Sequence, residues 1–120
     1  MNAGTTQMQL GLIGLGAVGY RLARRLIQHF GALAVLDTDE AQVALAQSLG
    51  AHRVTTAKDL VSNVEVVLLS LPSPAAVEAV MTGSNGLLAG LGEGTIVLDL
   101  STLDPDSSVH WANRVEEYGA

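Results

Sequence analysis

Three glycines, at positions 14, 16 and 19, interrupt an apolar and then basic stretch, QLGLIGLGAVGYRLARRL, that runs from residue 9 to residue 26. Their spacing, G-x-G-x-x-G, is what a diphosphate bridge needs when it settles on the turn between a strand and a helix. In that reading Gly14 permits the tight turn, Gly16 lets the main chain approach the pyrophosphate, and Gly19 lets the helix pack against the strands. Leu15, Ala17 and Val18 fill the positions between them and belong to the same binding turn. The helix start offers unpaired N–H groups and a positive dipole end to the phosphates. At the end of the next strand stands Asp37, 18 residues past Gly19, where a carboxylate would accept hydrogen bonds from adenosine ribose hydroxyls. It would also repel a 2′-phosphate. Thr38 follows it, and no arginine or lysine lies between residues 37 and 52, so the expected cofactor is NAD, with NADP disfavoured. Two alternatives stay open on the residues alone. The glycines could serve a tight turn with no ligand, and Asp39 could be the ribose-binding acid with Asp37 as a cap.

The elements that would position these residues alternate regularly. Apolar runs at 8–13, 32–36, 52–54, 64–70 and 95–100 read as strands, punctuated by Gly, Pro, Asp or Ser. The two longest, 64–70 and 95–100, are nearly continuous in apolar character and read as interior strands covered on both faces. Over 17–28, Val18, Leu22, Ala23, Leu26 and Ile27 share one helical face, and Arg21, Arg24, Arg25 and Gln28 the other. Asp39 with Gln42 forms a capping-box pattern opening a helix to about 48, closed by Gly50. Ser73-Pro74 and Asp104-Pro105 each set a capping side chain before a first-turn proline, opening helices near 74–82 and 105–118. A short helix is expected near 57–62, and one helical turn at 87–91 inside a glycine-rich connection. Strand, helix, strand, repeated, predicts an α/β chain with a Rossmann-type doubly wound parallel sheet and helices on both faces.

Bulk properties narrow the partners. The chain has 120 residues, 48% hydrophobic and 15% charged, which fits one folded domain over 8–120 after a polar tail at 1–7. A net charge of −6 opposes nucleic acids and anionic membranes as partners. With no cysteine there is neither a disulfide framework nor a thiolate metal site. No apolar run approaches the roughly 20 residues of a membrane span, and no basic residue precedes an apolar segment in MNAGTTQ, so the expected compartment is the cytoplasm. His29, His52 and His110 match neither a catalytic triad nor a metal site in their spacing. The last residues, VEEYGA, close a helix where another strand would be expected, so the chain reads as a fragment.

The segments GLIGLGAVG, VVLLSLPSPAAVEAVM and GLLAGLGEGTIVLDLST, with the DP at 104–105, together resemble the N-terminal domain of the β-hydroxyacid dehydrogenases. That family includes 3-hydroxyisobutyrate dehydrogenase, tartronate semialdehyde reductase and, more distantly, 6-phosphogluconate dehydrogenase. The resemblance implies an oxidoreductase that, at full length, moves hydride between a nicotinamide cofactor and a short 3-hydroxy acid, with the semialdehyde as oxidised form. It implies that Leu71 and Pro72 line the nicotinamide half of the cofactor, that Ser73 to Val77 border the same crevice, and that Ser101 and Thr102 reach the nicotinamide ribose and substrate edge. The same serines and threonine also suit helix capping and turns. A homo-oligomer, and a proton-handling lysine beyond residue 120, are implied too. The single lysine here, Lys58, is expected to be surface charge, so the isolated domain is expected to lack catalysis. Val18 stands where the family often has methionine, and Asp37-Thr38 where NADP-preferring members carry Asn-Arg. A stand-alone dinucleotide-binding module, or part of an NADP-using imine reductase, are the competing readings.

Overall fold

Each short apolar run becomes a strand and each amphipathic stretch a crossover in the computed structural model, which describes residues 9–101 and 105–120. In chain order these are β1 (Leu10–Ile13), α1 (Ala17–Phe30), β2 (Ala34–Leu36), α2 (Glu40–Ser48), β3 (His52–Arg53), α3 (Ala57–Ser62), β4 (Val66–Leu69), α4 (Pro74–Met81), α5 (Leu87–Gly90), β5 (Ile96–Asp99) and α6 (Pro105–Glu116). The strands form one five-stranded sheet in the order β3-β2-β1-β4-β5, parallel at every pairing. The strand order reverses between β1 and β4, so a crevice opens there at the carboxyl ends of the strands. The α/β Rossmann class is confirmed. The expected residues 1–7, Met8, Thr102 and Asp104 lie outside the described residues.

Side chains alternate across each strand, and the two faces bury separate cores. Leu10, Leu12, Val35, Val66 and Leu68 meet Ala23 of α1 and Val43 and Ala46 of α2. Ile13, Val67 and Leu69 meet Leu60 and Val61 of α3, Val77 and Met81 of α4, Leu87 of α5 and Val115 of α6. Trp111 packs against this second core, whereas Tyr118 lies past the end of α6 and is exposed. Helix entry follows local chemistry. Asp39 caps α2 by accepting from the N–H groups of Ala41 and Gln42, Thr56 caps α3 by accepting from Asp59, and Ser73 caps α4 by accepting from Ala76 ahead of Pro74. Only half of the expected capping box forms at α2, because the Asp39 N–H donates to Asp37 Oδ1 at 2.8 Å.

One expectation is overturned. The segment 95–100 is not an interior strand covered on both faces: β5 is the edge of the sheet among the described residues. Val97 packs on the second core, but Ile96, Leu98 and Leu100 on the opposite face are 52%, 46% and 52% exposed. β4 does match its expectation, with all four residues buried. Among the described residues no helix is long and apolar enough to cross a membrane.

This difference is measurable. Leu12→Ala should cost about 2–5 kcal/mol of unfolding free energy, the range for a truncated buried leucine. Leu98→Ala, on the open face, should cost under about 1 kcal/mol. Urea denaturation of the two variants checks both, and equal losses would contradict an open face on β5.

Candidate dinucleotide crevice

The turn from β1 into α1 is built from close backbone approaches that side chains would prevent. Gly14 has φ +104°, and a Cβ there would fall 2.0 Å from the Ser70 carbonyl oxygen. A Cβ on Gly19 would fall 2.0 Å from the Gly14 carbonyl oxygen, so the first turn of α1 sits directly on the loop that precedes it. Both glycines are therefore demanded by the protein's own packing. Gly16 is different. Its φ of −64° suits any residue, and a Cβ there would meet nothing within 4 Å. Nothing among the described residues requires position 16 to be bare; a ligand pressed against that main chain would.

Gly16 is also the N-cap of α1, and no side chain caps that helix. α2, α3 and α4 all have side-chain caps, so α1 alone among these four presents its first-turn N–H groups uncapped to an anion. The loop is braced on its far side. The Leu15 N–H donates to Asp37 Oδ2 and the Gly14 N–H to the Leu36 carbonyl at 3.0 Å. Asp37 thus holds the loop with one oxygen and the start of α2 with the other. A carboxylate has about four lone-pair positions, so both oxygens retain capacity for ribose hydroxyls. Asp39 caps α2 and Asp37 braces the glycine turn, and both line the crevice.

A cleft of about 1110 Å³ runs along these strand ends. It exceeds the roughly 300–1,000 Å³ of pockets for drug-sized ligands, as an extended dinucleotide would need. Gly14, Gly16, Ala17, Val18, Asp37, Thr38, Leu71, Pro72 and Ser101 line it. Four expected residues stand behind its surface instead. Leu15 is buried in the first core and contributes only its N–H, Val77 is buried in the second, Gly19 is buried under the turn, and Ser73 caps α4. Thr102 lies outside the described residues. The family resemblance implied Val77 on the wall, but its helical phase turns it inward, and Ala76 and Val80 line the cleft there.

Ser101 has a second task. Its Oγ accepts the Leu71 N–H at 2.8 Å, joining the loop after β5 to the loop after β4 across the crevice floor. The Ser101 hydroxyl proton remains available to a ligand. The sequence reading missed the opposite end of the cleft, where Gln42, Thr55, Thr56, Ala79, Ser84 and Asn85 contribute. These are scattered polar and small residues with no spacing signal, brought together only by the sheet order. His110 lies elsewhere, with its ring edge-on to Trp111 at 4.6 Å beside a separate hollow between α4 and α6.

Residues 9–120 match the family described as the NAD binding domain of 6-phosphogluconate dehydrogenase. The chain is 31% identical over 112 residues to 2-(hydroxymethyl)glutarate dehydrogenase of Eubacterium barkeri, covering 93% of this chain and 37% of that protein. It is 35% identical over 108 residues to the NAD-dependent L-serine dehydrogenase of Pseudomonas aeruginosa, covering 88% and 36%. The solved structure of Psf3 in complex with NADP+ and 2-OPP superposes with a TM-score of 0.88 at 28% identity, covering 92% of this chain and 39% of that one. The chain therefore spans a little over a third of the length of these relatives.

The two kinds of glycine separate experimentally. Gly19→Ala should destabilise the fold by about 1–3 kcal/mol, the cost of forcing atoms into a packed site. Gly16→Val should keep its melting temperature within a few degrees while NADH binding is lost, read by cofactor fluorescence. Undiminished binding by Gly16→Val would show that position 16 does not meet the diphosphate.

Proposed function

The chain belongs to the family of NAD-binding domains of 6-phosphogluconate dehydrogenase, and from that membership and the crevice geometry we propose that it holds NAD as the nucleotide-binding part of a 3-hydroxy acid dehydrogenase. The single observation that carries the binding site is Gly16, bare without any internal reason, at the head of a helix that has no side-chain cap. The diphosphate sits on the N–H groups of Ala17 and Val18, where partial positive charge meets the phosphate oxygens. Asp37 accepts from the adenosine ribose while its other bonds keep the glycine loop against β2. At the opposite end Leu71, Pro72 and Ser101 flank the place of the nicotinamide, which supplies hydride transfer when bound. The Leu71–Ser101 hydrogen bond fixes the separation of the two loops there.

The preference for NAD rests on charge. Asp37, Asp39 and Glu40 cluster at the adenosine end, and Arg53 of β3 is engaged by Glu40 at 2.6 Å. A 2′-phosphate brought to this end meets carboxylate, and like charges a few ångströms apart repel by about 4 kcal/mol near a protein surface. The substrate class rests on the relatives. Both 2-(hydroxymethyl)glutarate and serine carry a CH2OH group on the carbon next to a carboxylate. The common chemistry is oxidation of a primary alcohol β to that carboxylate. Among the described residues the group beside Ser101 is the Asp99 carboxylate, whose Oδ1 already accepts the Ser101 N–H at 2.8 Å; the one lysine, Lys58, is on α3, where its backbone N–H donates to the Asn85 carbonyl at the other end of the cleft.

Calorimetric titration of the 120-residue chain should give NADH affinity at least about tenfold above that for NADPH, a difference of about 1.4 kcal/mol. Asp37→Ser should narrow that ratio. Equal affinities, or tighter NADPH binding, would remove the role given to Asp37. Incubation with NAD+ and L-serine or 3-hydroxyisobutyrate should produce no NADH, and measurable turnover would place proton transfer on residues of this chain.

A further inference from the structure

We infer that the far end of the crevice reads the adenine base, with the side-chain amide of Asn85 pairing with the amine-bearing edge of the ring; the inference rests on the dinucleotide reading above. A ribose joins its phosphate and its base at opposite ends. Phosphates on Gly16 and a ribose on Asp37 therefore direct the base away from α1, into a cup formed by the β3–α3 turn and the α4–α5 loop. Thr55, Ser84 and Asn85 line that cup beside Ala79 and Val80 of α4.

The loop carrying Asn85 is pinned through its main chain. Its carbonyl accepts the Lys58 N–H at 3.0 Å, and the Gly86 N–H donates to the Gly83 carbonyl at 3.2 Å. A Cβ on Gly86 would fall 2.2 Å from the Thr82 carbonyl oxygen, so the turn is as tight as glycine allows. The side chains on this frame are free by contrast. Among the described residues, Thr55, Ser84 and Asn85 make no side-chain hydrogen bond within the chain, whereas neighbouring Thr56 is engaged as the cap of α3. An amide sets a donor beside an acceptor, which complements the exocyclic amine and adjoining ring nitrogen of adenine. Ala79 and Val80 offer apolar surface to the ring face, and the two hydroxyls can donate or accept at its margin.

The test compares NAD+ with 1,N6-etheno-NAD+, in which a fused ring ties up both the amine and the neighbouring ring nitrogen. By calorimetry the wild-type chain should bind NAD+ at least about tenfold more tightly. Asn85→Ala should bind the two about equally, with the loss falling on NAD+ and an unchanged far-ultraviolet circular dichroism spectrum, since the bond from Lys58 uses the backbone. Asn85→Asp, similar in size but without the amide donor, should also lose affinity for NAD+. Equal binding by the wild type, or a preference that survives in Asn85→Ala, overturns the base-reading role and leaves the dinucleotide site standing. No binding of NAD+ at all overturns both.

Discussion

Everything in this domain that bears on a ligand depends on one helix starting without a cap. A helix end leaves several N–H groups unpaired, and proteins ordinarily satisfy some of them with a Ser, Thr, Asp or Asn side chain. α2, α3 and α4 obey that rule through Asp39, Thr56 and Ser73. The single turn α5 starts at a glycine, Gly86, and among α1 to α4 only α1 breaks the rule, with Gly16. The exception is held in place by strict packing on either side: Gly14 against the Ser70 carbonyl, and Gly19 against Gly14 itself. The sheet order then sets the exposed helix end beside the gap between β1 and β4. A rigid turn around one open position is the arrangement that lets main chain, rather than flexible side chains, meet an anion.

The same bonds that stiffen the turn divide the cleft into distinct regions. Asp37 is bound to the N–H groups of both Leu15 and Asp39, so its carboxylate is oriented before any ligand arrives. Preorganised groups of this kind avoid the entropy of being ordered on binding. Ser101 plays the corresponding part on the other side, clamping the loops after β4 and β5 through Leu71. Between the two clamps lies the positive end of α1. The acidic Asp37 end, the helix dipole and the apolar Leu71-Pro72 end are thus fixed in sequence along one cleft by three separate backbone contacts.

Much of this was legible in the sequence, and what was not has physical causes. The glycine spacing, its placement after an apolar run, and the caps Asp39 and Ser73 depend on chain neighbours, and local chemistry decides them. The separate tasks of the two acids were not local: Asp37 and Asp39 are both turn aspartates, and the long-range bond from Leu15 is what ties Asp37 to the glycine turn. Leu15 and Val77 fell inside the motif and the crevice segment, yet both point into cores, because proximity in sequence does not set which way a side chain leaves its element. The far wall at Thr55, Ser84 and Asn85 has no pattern to read. It arises where the β3–α3 turn meets a loop about 30 residues away, through the hydrogen bond between Lys58 and Asn85.

β5 shows the limit of pattern reading most directly. A continuous apolar run states that both faces of a strand are suited to burial, but burial needs a covering element on each side. Val97 finds one in the core under α4 and α6; Ile96, Leu98 and Leu100 face the side where α1 and α2 lie over the other half of the sheet. The order β3-β2-β1-β4-β5 makes this unavoidable, because right-handed crossovers from β1 to β2 to β3 place both of those helices on one flank. β1 and β4, at the centre, lie within reach of helices from both faces and are buried throughout. Composition therefore reports the demand for cover, and topology alone decides whether it is met, which is why two strands with the same apolar character differ so much in exposure.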